Sequence, residues 1–155
     1  MKRVGLWAAI GIGIFITVGL LTVEPGYVEE KEHEPTCTLK TLKGRYLFTL
    51  QGTLLPPAFG VIEPTPAAAA GFHIFHGDGT GTDIVTFRVG GVTVVENDVA
   101  PNSYTVNADC TGSYTATNGP SFSIFIAPNG ESFAEITTTP QGNGASNIAR
   151  RVSRK

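Results

Sequence analysis

The chain reads as an all-β protein, an antiparallel up-and-down β-barrel of about eight strands preceded by one N-terminal hydrophobic segment. From Gly44 onward, no window longer than about two turns keeps apolar residues at helical three-and-four spacing without a Gly, Pro or β-branched interruption. Short alternating segments recur instead, separated at regular intervals by Gly, Pro and Asn. The joints between them are hairpin-sized, so the strands form a meander that must close or leave two long edges exposed. A barrel of about eight strands is just wide enough to be filled by side chains or to hold one small ligand. A β-sandwich is the alternative, and the scarcity of long crossovers counts against it.

Lys2 and Arg3 precede an uninterrupted apolar run over residues 4–23. A secretory apolar region is usually about 7–15 residues and a bilayer span about 20, so residues 1–23 read as a signal peptide or an uncleaved membrane anchor. Gly19 with Thr17 is the best cleavage offer, and no Cys follows the run to carry a lipid. The flanking charges, basic before and acidic after, place everything downstream outside the cytoplasm. Residues 24–36, with Glu24, Glu29, Glu30, Glu32, Glu34, Pro25 and Pro35, form an acidic linker with almost nothing to bury. Residues 37–155 are then one β-barrel domain.

Within the domain, residues 44–52 alternate, Tyr46, Phe48 and Leu50 on one face and Arg45, Thr49 and Gln51 on the other. Pro56, Pro57, Pro64 and Pro66 make 54–68 a long loop, and 70–76 resumes a strand. Gly77-Asp78-Gly79 then turns into 82–89, Gly90-Gly91 into 92–99, and Pro101-Asn102 into 104–108. Residues 109–112 lead to 113–117, Asn118-Gly119-Pro120 to 121–127, Pro128-Asn129-Gly130 to 131–138, and 141–144 to 145–152. Closure requires the first strand to pair with the last, although no hairpin joins them. Several strands, 72–75, 92–95 and 124–126, are apolar on both faces, so their outer side wants cover from the Pro/Ala loop, a ligand or another copy of the chain.

Cys37 and Cys110 are the two cysteines, and in an exported domain a bridge between them is the default. The loop so closed is long, so the entropic gain is on the order of 4 kcal/mol. The formal charge of −2 and the confinement of Arg150, Arg151, Arg154 and Lys155 to the C-terminus exclude a nucleic-acid footprint.

The segments 37–48 (CTLKTLKGRYLF), 72–81 (FHIFHGDGTG) and 104–112 (YTVNADCTG) resemble a group of small exported bacterial proteins. Its pattern is an early Cys, a first strand of the LKG-Y-F type, a DG-G-G hairpin and a Y-V-DCTG strand and turn. That group is similar to the allene oxide cyclase-like, calycin-type barrels, and its members are mostly of undefined function. The resemblance implies the barrel and the cysteine bridge, and it carries over no catalytic residue.

His73, His76 and Glu135 are the catalytic candidates. His73 and His76 stand three apart on one strand and so face opposite sides, which prevents them from sharing a metal and sends one imidazole inward. Glu135 lies on the face of Phe133 and Thr137; inside, it would be a buried carboxylate fit for acid–base work, but base rates for carboxylates put it outside. Arg45 and Arg88 are the arginines that could pair with it. Tyr46, Phe48 and Arg88 are the ligand-binding candidates. Asp78-Gly79-Thr80-Gly81-Thr82-Asp83 has the spacing of a calcium loop but lacks its oxygen density, and a hairpin turn accounts for it. No metal site and no cofactor are expected, and there is no G-x-S-x-G elbow.

These readings favour a non-enzymatic binding or structural module with a small apolar ligand in the barrel mouth. The alternatives are a cyclase- or isomerase-like enzyme using the barrel interior and a cell-envelope interaction module. Expected partners are that ligand, the membrane through the N-terminal segment alone, and further copies of the chain in a homo-oligomer, with no nucleic acid.

Overall fold

The computed structural model describes residues 36–154. The 1–23 signal peptide or anchor, and the acidic linker as far as residue 35, lie outside the described residues. The remainder is a closed barrel of eight antiparallel strands in sequence order: β1 Gly44–Leu54, β2 Thr65–Phe75, β3 Thr80–Val89, β4 Val92–Val106, β5 Thr111–Ala116, β6 Ser121–Ile126, β7 Ser132–Thr139 and β8 Asn143–Ser153. The seam is the pairing of β1 with β8, in which Leu47 faces Arg150 and Gln51 faces Ser146. Closure gives every strand two paired neighbours, with β4 before Asn102 left without a ladder partner on the β5 side.

Two strands are longer than the prolines suggest. β2 begins at Thr65 and includes Pro66, and β4 runs unbroken through Pro101-Asn102, which is therefore not a turn. Pro101 accepts a hydrogen bond from Thr117 N, so its ring nitrogen faces the β5 side, where the ladder begins only at Asn102. Pro66 likewise accepts from Gly90 N, one residue beyond the end of the β2–β3 ladder at Ala67. In each case the missing N–H falls where no partner strand required it.

The two ends of the barrel are filled differently. At the end where β1 begins, Tyr46, Phe75, Tyr104 and Phe133 interlock edge to face with ring centroids 4.6–5.7 Å apart. Leu42, from the 3-10 turn Leu39–Leu42, closes that end with no exposed surface. Its polar groups are satisfied. Tyr46 Oη donates to Gly130 O at 2.6 Å and accepts from Arg151, whose guanidinium also reaches Thr41 O and Glu131. The Cys37–Cys110 disulfide fastens the segment before the 3-10 turn to the β4–β5 hairpin at the same end.

At the opposite end the inward positions hold small residues, Ala67, Ala69, Ala100 and Ala116, and a cavity remains. The loop between β1 and β2 lies over this mouth, with Phe59 against Phe87 at 5.7 Å. That loop therefore covers the mouth rather than the outer faces of the strands. Outside, Arg45 stacks on Phe72 at 3.7 Å. Val92, Val94, Phe125, Ile136 and Ile148 remain exposed, and Phe125, Ala134 and Ile148 stand in register across three strands.

Candidate functional site

Between the aromatic end and the hollow end lies one polar layer. His73 and Asp83 come from β2 and β3, directly opposite one another across the hairpin. Asn102 and Tyr114 come from β4 and β5, and Glu135 and Asn147 are opposed on β7 and β8. Period-two alternation sends all six inward. Two glycines clear the space: a Cβ on Gly81 would lie 2.4 Å from Asn102 Oδ1, and one on Gly71, opposite Phe48, would lie 1.9 Å from Ile84 O.

Asp83 is fully engaged. It accepts from His73 Nδ1 at 2.9 Å and from Asn102 Nδ2 at 2.8 Å on one oxygen, and from the Tyr114 hydroxyl on the other. Glu135 is less well served: Oε1 accepts from Asn147 Nδ2, and His73 Nε2 stands 3.6 Å from that oxygen, beyond hydrogen-bond reach. His73 Nε2 and Glu135 Oε2 are both buried and without a hydrogen-bond partner. The imidazole is stacked on Phe48 at 4.1 Å, which fixes its plane.

Burial alone would lower the pKa of His73. The hydrogen bond to Asp83 and the charge of the two flanking carboxylates outweigh that and hold it up at about 9, so the ring is an imidazolium at neutral pH. Burial, reinforced by the Asp83 charge, drives the Tyr114 phenol well above its ordinary range and keeps it a proton donor to Asp83.

Above this layer is a cavity of about 320 Å³. Phe48, Leu50, Val85, Phe87 and Phe122 are among the residues of its walls, His73, Asp83, Tyr114 and Glu135 line its floor, and Phe59, Asp98 and Asn143 also border it. The volume falls in the range of small-molecule sites, which are mostly apolar with a few convergent polar groups. Among the described residues, no three His, Cys, Asp or Glu side chains are placed to hold a metal ion.

Of the residues singled out in the sequence, the structure brings together Phe48, His73 and Glu135. Glu135 is 2 % exposed, so the exterior position that base rates favour is corrected: its strand alternates Phe133 and Glu135 inward. His76 points outward and meets Thr80 Oγ1 at 3.1 Å. Tyr46 is buried in the aromatic end, away from the cavity lining. Arg88 is exposed and donates to Gly91 O, and Arg45 lies on Phe72, so neither pairs with Glu135; His73 takes that place. The calcium-like loop divides into a turn, where Asp78 accepts from Thr80 N at 2.9 Å, and an interior residue, Asp83. Sequence reasoning does not single out Asp83, Asn102, Tyr114 and Asn147 as interior partners. Asp83 is legible in principle, because a hairpin centred on Asp78 sets residue 73 opposite residue 83.

Comparison with protein-family models, curated proteins and solved structures finds no match to this chain.

Proposed function

We propose that this protein is an exported binding module that holds one small, mostly apolar molecule in the open half of the barrel. One observation carries the reading: an apolar cavity whose floor presents two buried polar atoms, His73 Nε2 and Glu135 Oε2, that make no hydrogen bond within the protein. Buried polar atoms are rarely left unpaired in native proteins, and a ligand bound above the floor would supply the donor that Glu135 Oε2 lacks. The cysteine bridge supports placement in an oxidising, extracytoplasmic compartment. The resemblance to allene oxide cyclase-like barrels belongs to the same proposal, supported by the closed up-and-down topology and the hollow interior.

Indole serves as a neutral probe, titrated into the full-length chain in lipid nanodiscs with empty discs as the blank. The expected result is saturable binding at one site, lost in Ala116→Phe, which fills the cavity, while the circular dichroism spectrum is retained. Undiminished binding to a well-folded A116F protein would sink the proposal.

A second reading is favoured by the same floor. An imidazolium and a carboxylate side by side can give and take a proton, the elements of an isomerisation that leaves the oxidation level unchanged. It requires turnover of the bound molecule that Glu135→Gln abolishes while binding persists.

A further inference from the structure

Resting on the reading of the cavity as a ligand site, we propose that its ligand is a small apolar amine, bound as the ammonium ion with an N–H directed at Glu135 Oε2. The charges around the cavity are lopsided. Asp83, Asp98 and Glu135 line it, His73 is its one basic group, and neither Lys nor Arg takes part. Two buried carboxyl side chains, Asp83 and Glu135, thus share a single basic side chain, His73. Burying a carboxylate without a counter-charge is costly, so a floor with Glu135 Oε2 unpartnered favours an incoming cation.

The two carboxylates are not equivalent in what they lack. Asp83 receives three donors, from His73, Asn102 and Tyr114. Glu135 receives one neutral amide, and its second oxygen is buried and unpartnered. The cation therefore belongs beside Glu135. An ammonium group supplies donors and charge together, and a charge-assisted hydrogen bond is about twice as strong as a neutral one.

The walls fit the rest of such a molecule. Phe48, Phe122 and Tyr114 surround the floor with aromatic surface, which attracts a cation as well as an apolar body. At ordinary packing density the cavity takes on the order of ten to fifteen non-hydrogen atoms. A carboxylate ligand of the same size would meet Glu135 and Asp83 as like charges. A neutral alcohol would make the hydrogen bond and leave the charge uncompensated.

The test is a matched series, 2-phenylethylammonium, 2-phenylethanol and phenylacetate, measured calorimetrically at pH 7 on the full-length chain in nanodiscs, with empty discs subtracted. The amine is expected to bind at least tenfold more tightly than the alcohol, with phenylacetate weakest of the three. Glu135→Gln is expected to bring amine and alcohol within about threefold of each other. Alcohol or carboxylate binding as tight as the amine overturns the amine assignment and leaves the cavity reading standing. An absence of binding by all three probes, and by indole, overturns both. The ligand series uses the unaltered protein, so its outcome does not depend on the variant's folding.

Discussion

The two halves of this barrel share strands, hydrogen-bonding pattern and closure, and they differ in what the inward positions hold. In one half Tyr46, Phe75, Tyr104, Phe133 and Leu42 fill the interior, and each Tyr hydroxyl has a partner. In the other, Ala67, Ala69, Ala100 and Ala116 occupy corresponding inward positions and leave about 320 Å³ open. The strand order is the same in both halves, although in the hollow half β4 before Asn102 has no ladder partner on the β5 side. Packing is therefore concentrated at the aromatic end, and the alanines leave the other end open. The polar layer of His73, Asp83 and Glu135 lies at the boundary, where aromatic packing shields it from one side and the cavity opens it on the other.

The largest test of that asymmetry truncates one ring in each half. Phe133→Ala, at a position only 1 % exposed, is expected to cost about 3–5 kcal/mol in urea unfolding. Phe87→Ala, at the cavity wall, is expected to cost no more than about 1.5 kcal/mol, because its ring borders space as well as side chains. Equal losses would break the comparison.

The boundary layer makes a prediction about pH. The His73 pKa is raised from 6.5 to about 9 on folding, so its stabilising contribution is fully present below pH 6.5 and is lost as pH rises to 9 and beyond. That contribution is on the order of 3 kcal/mol. Urea midpoints are expected to fall across that window, and the His73 ring resonances in NMR should titrate near pH 9. A midpoint for the ring at or below 6.5 would show that the carboxylates do not hold the proton.

The smallest effect sharpens the comparison from the side of volume. Ala149→Leu, at a fully buried position, is expected to destabilise by about 1–3 kcal/mol through overpacking. Ala69→Leu projects into the cavity and should change stability by less than about 1 kcal/mol in either direction. Thermal unfolding of the two variants separates them, and matching losses would mean that the hollow half is packed in solution.

Much of this architecture is readable from residue order. Alternation over residues 44–52 places Tyr46, Phe48 and Leu50 inward, and the need for closure anticipates the β1–β8 seam. Prolines 66 and 101 mislead, because a proline reads as a break until the side its nitrogen faces is known, and that depends on where the neighbouring ladder ends. Glu135 is hidden for a related reason. A carboxylate is assigned to the surface by default, and only the imidazolium from a strand elsewhere around the barrel, with Asn147 beside it, makes its burial tolerable. Tyr114 and Asn102 carry no local signal at all, since what singles them out is a shared partner, Asp83.

The seam has a consequence for how the protein comes into being. Tyr46 and Arg151, which lock the aromatic end, are 105 residues apart, and the strands that carry them are the first and last of the barrel. While the ribosome is still adding residues, β1 has one neighbour and the barrel has no closing partner. Completion waits for the whole domain, and contacts of such long sequence separation form slowly. A chain built this way stays an unclosed thread until β8 has been made, and only then can Arg151 reach Tyr46 and lock the aromatic end.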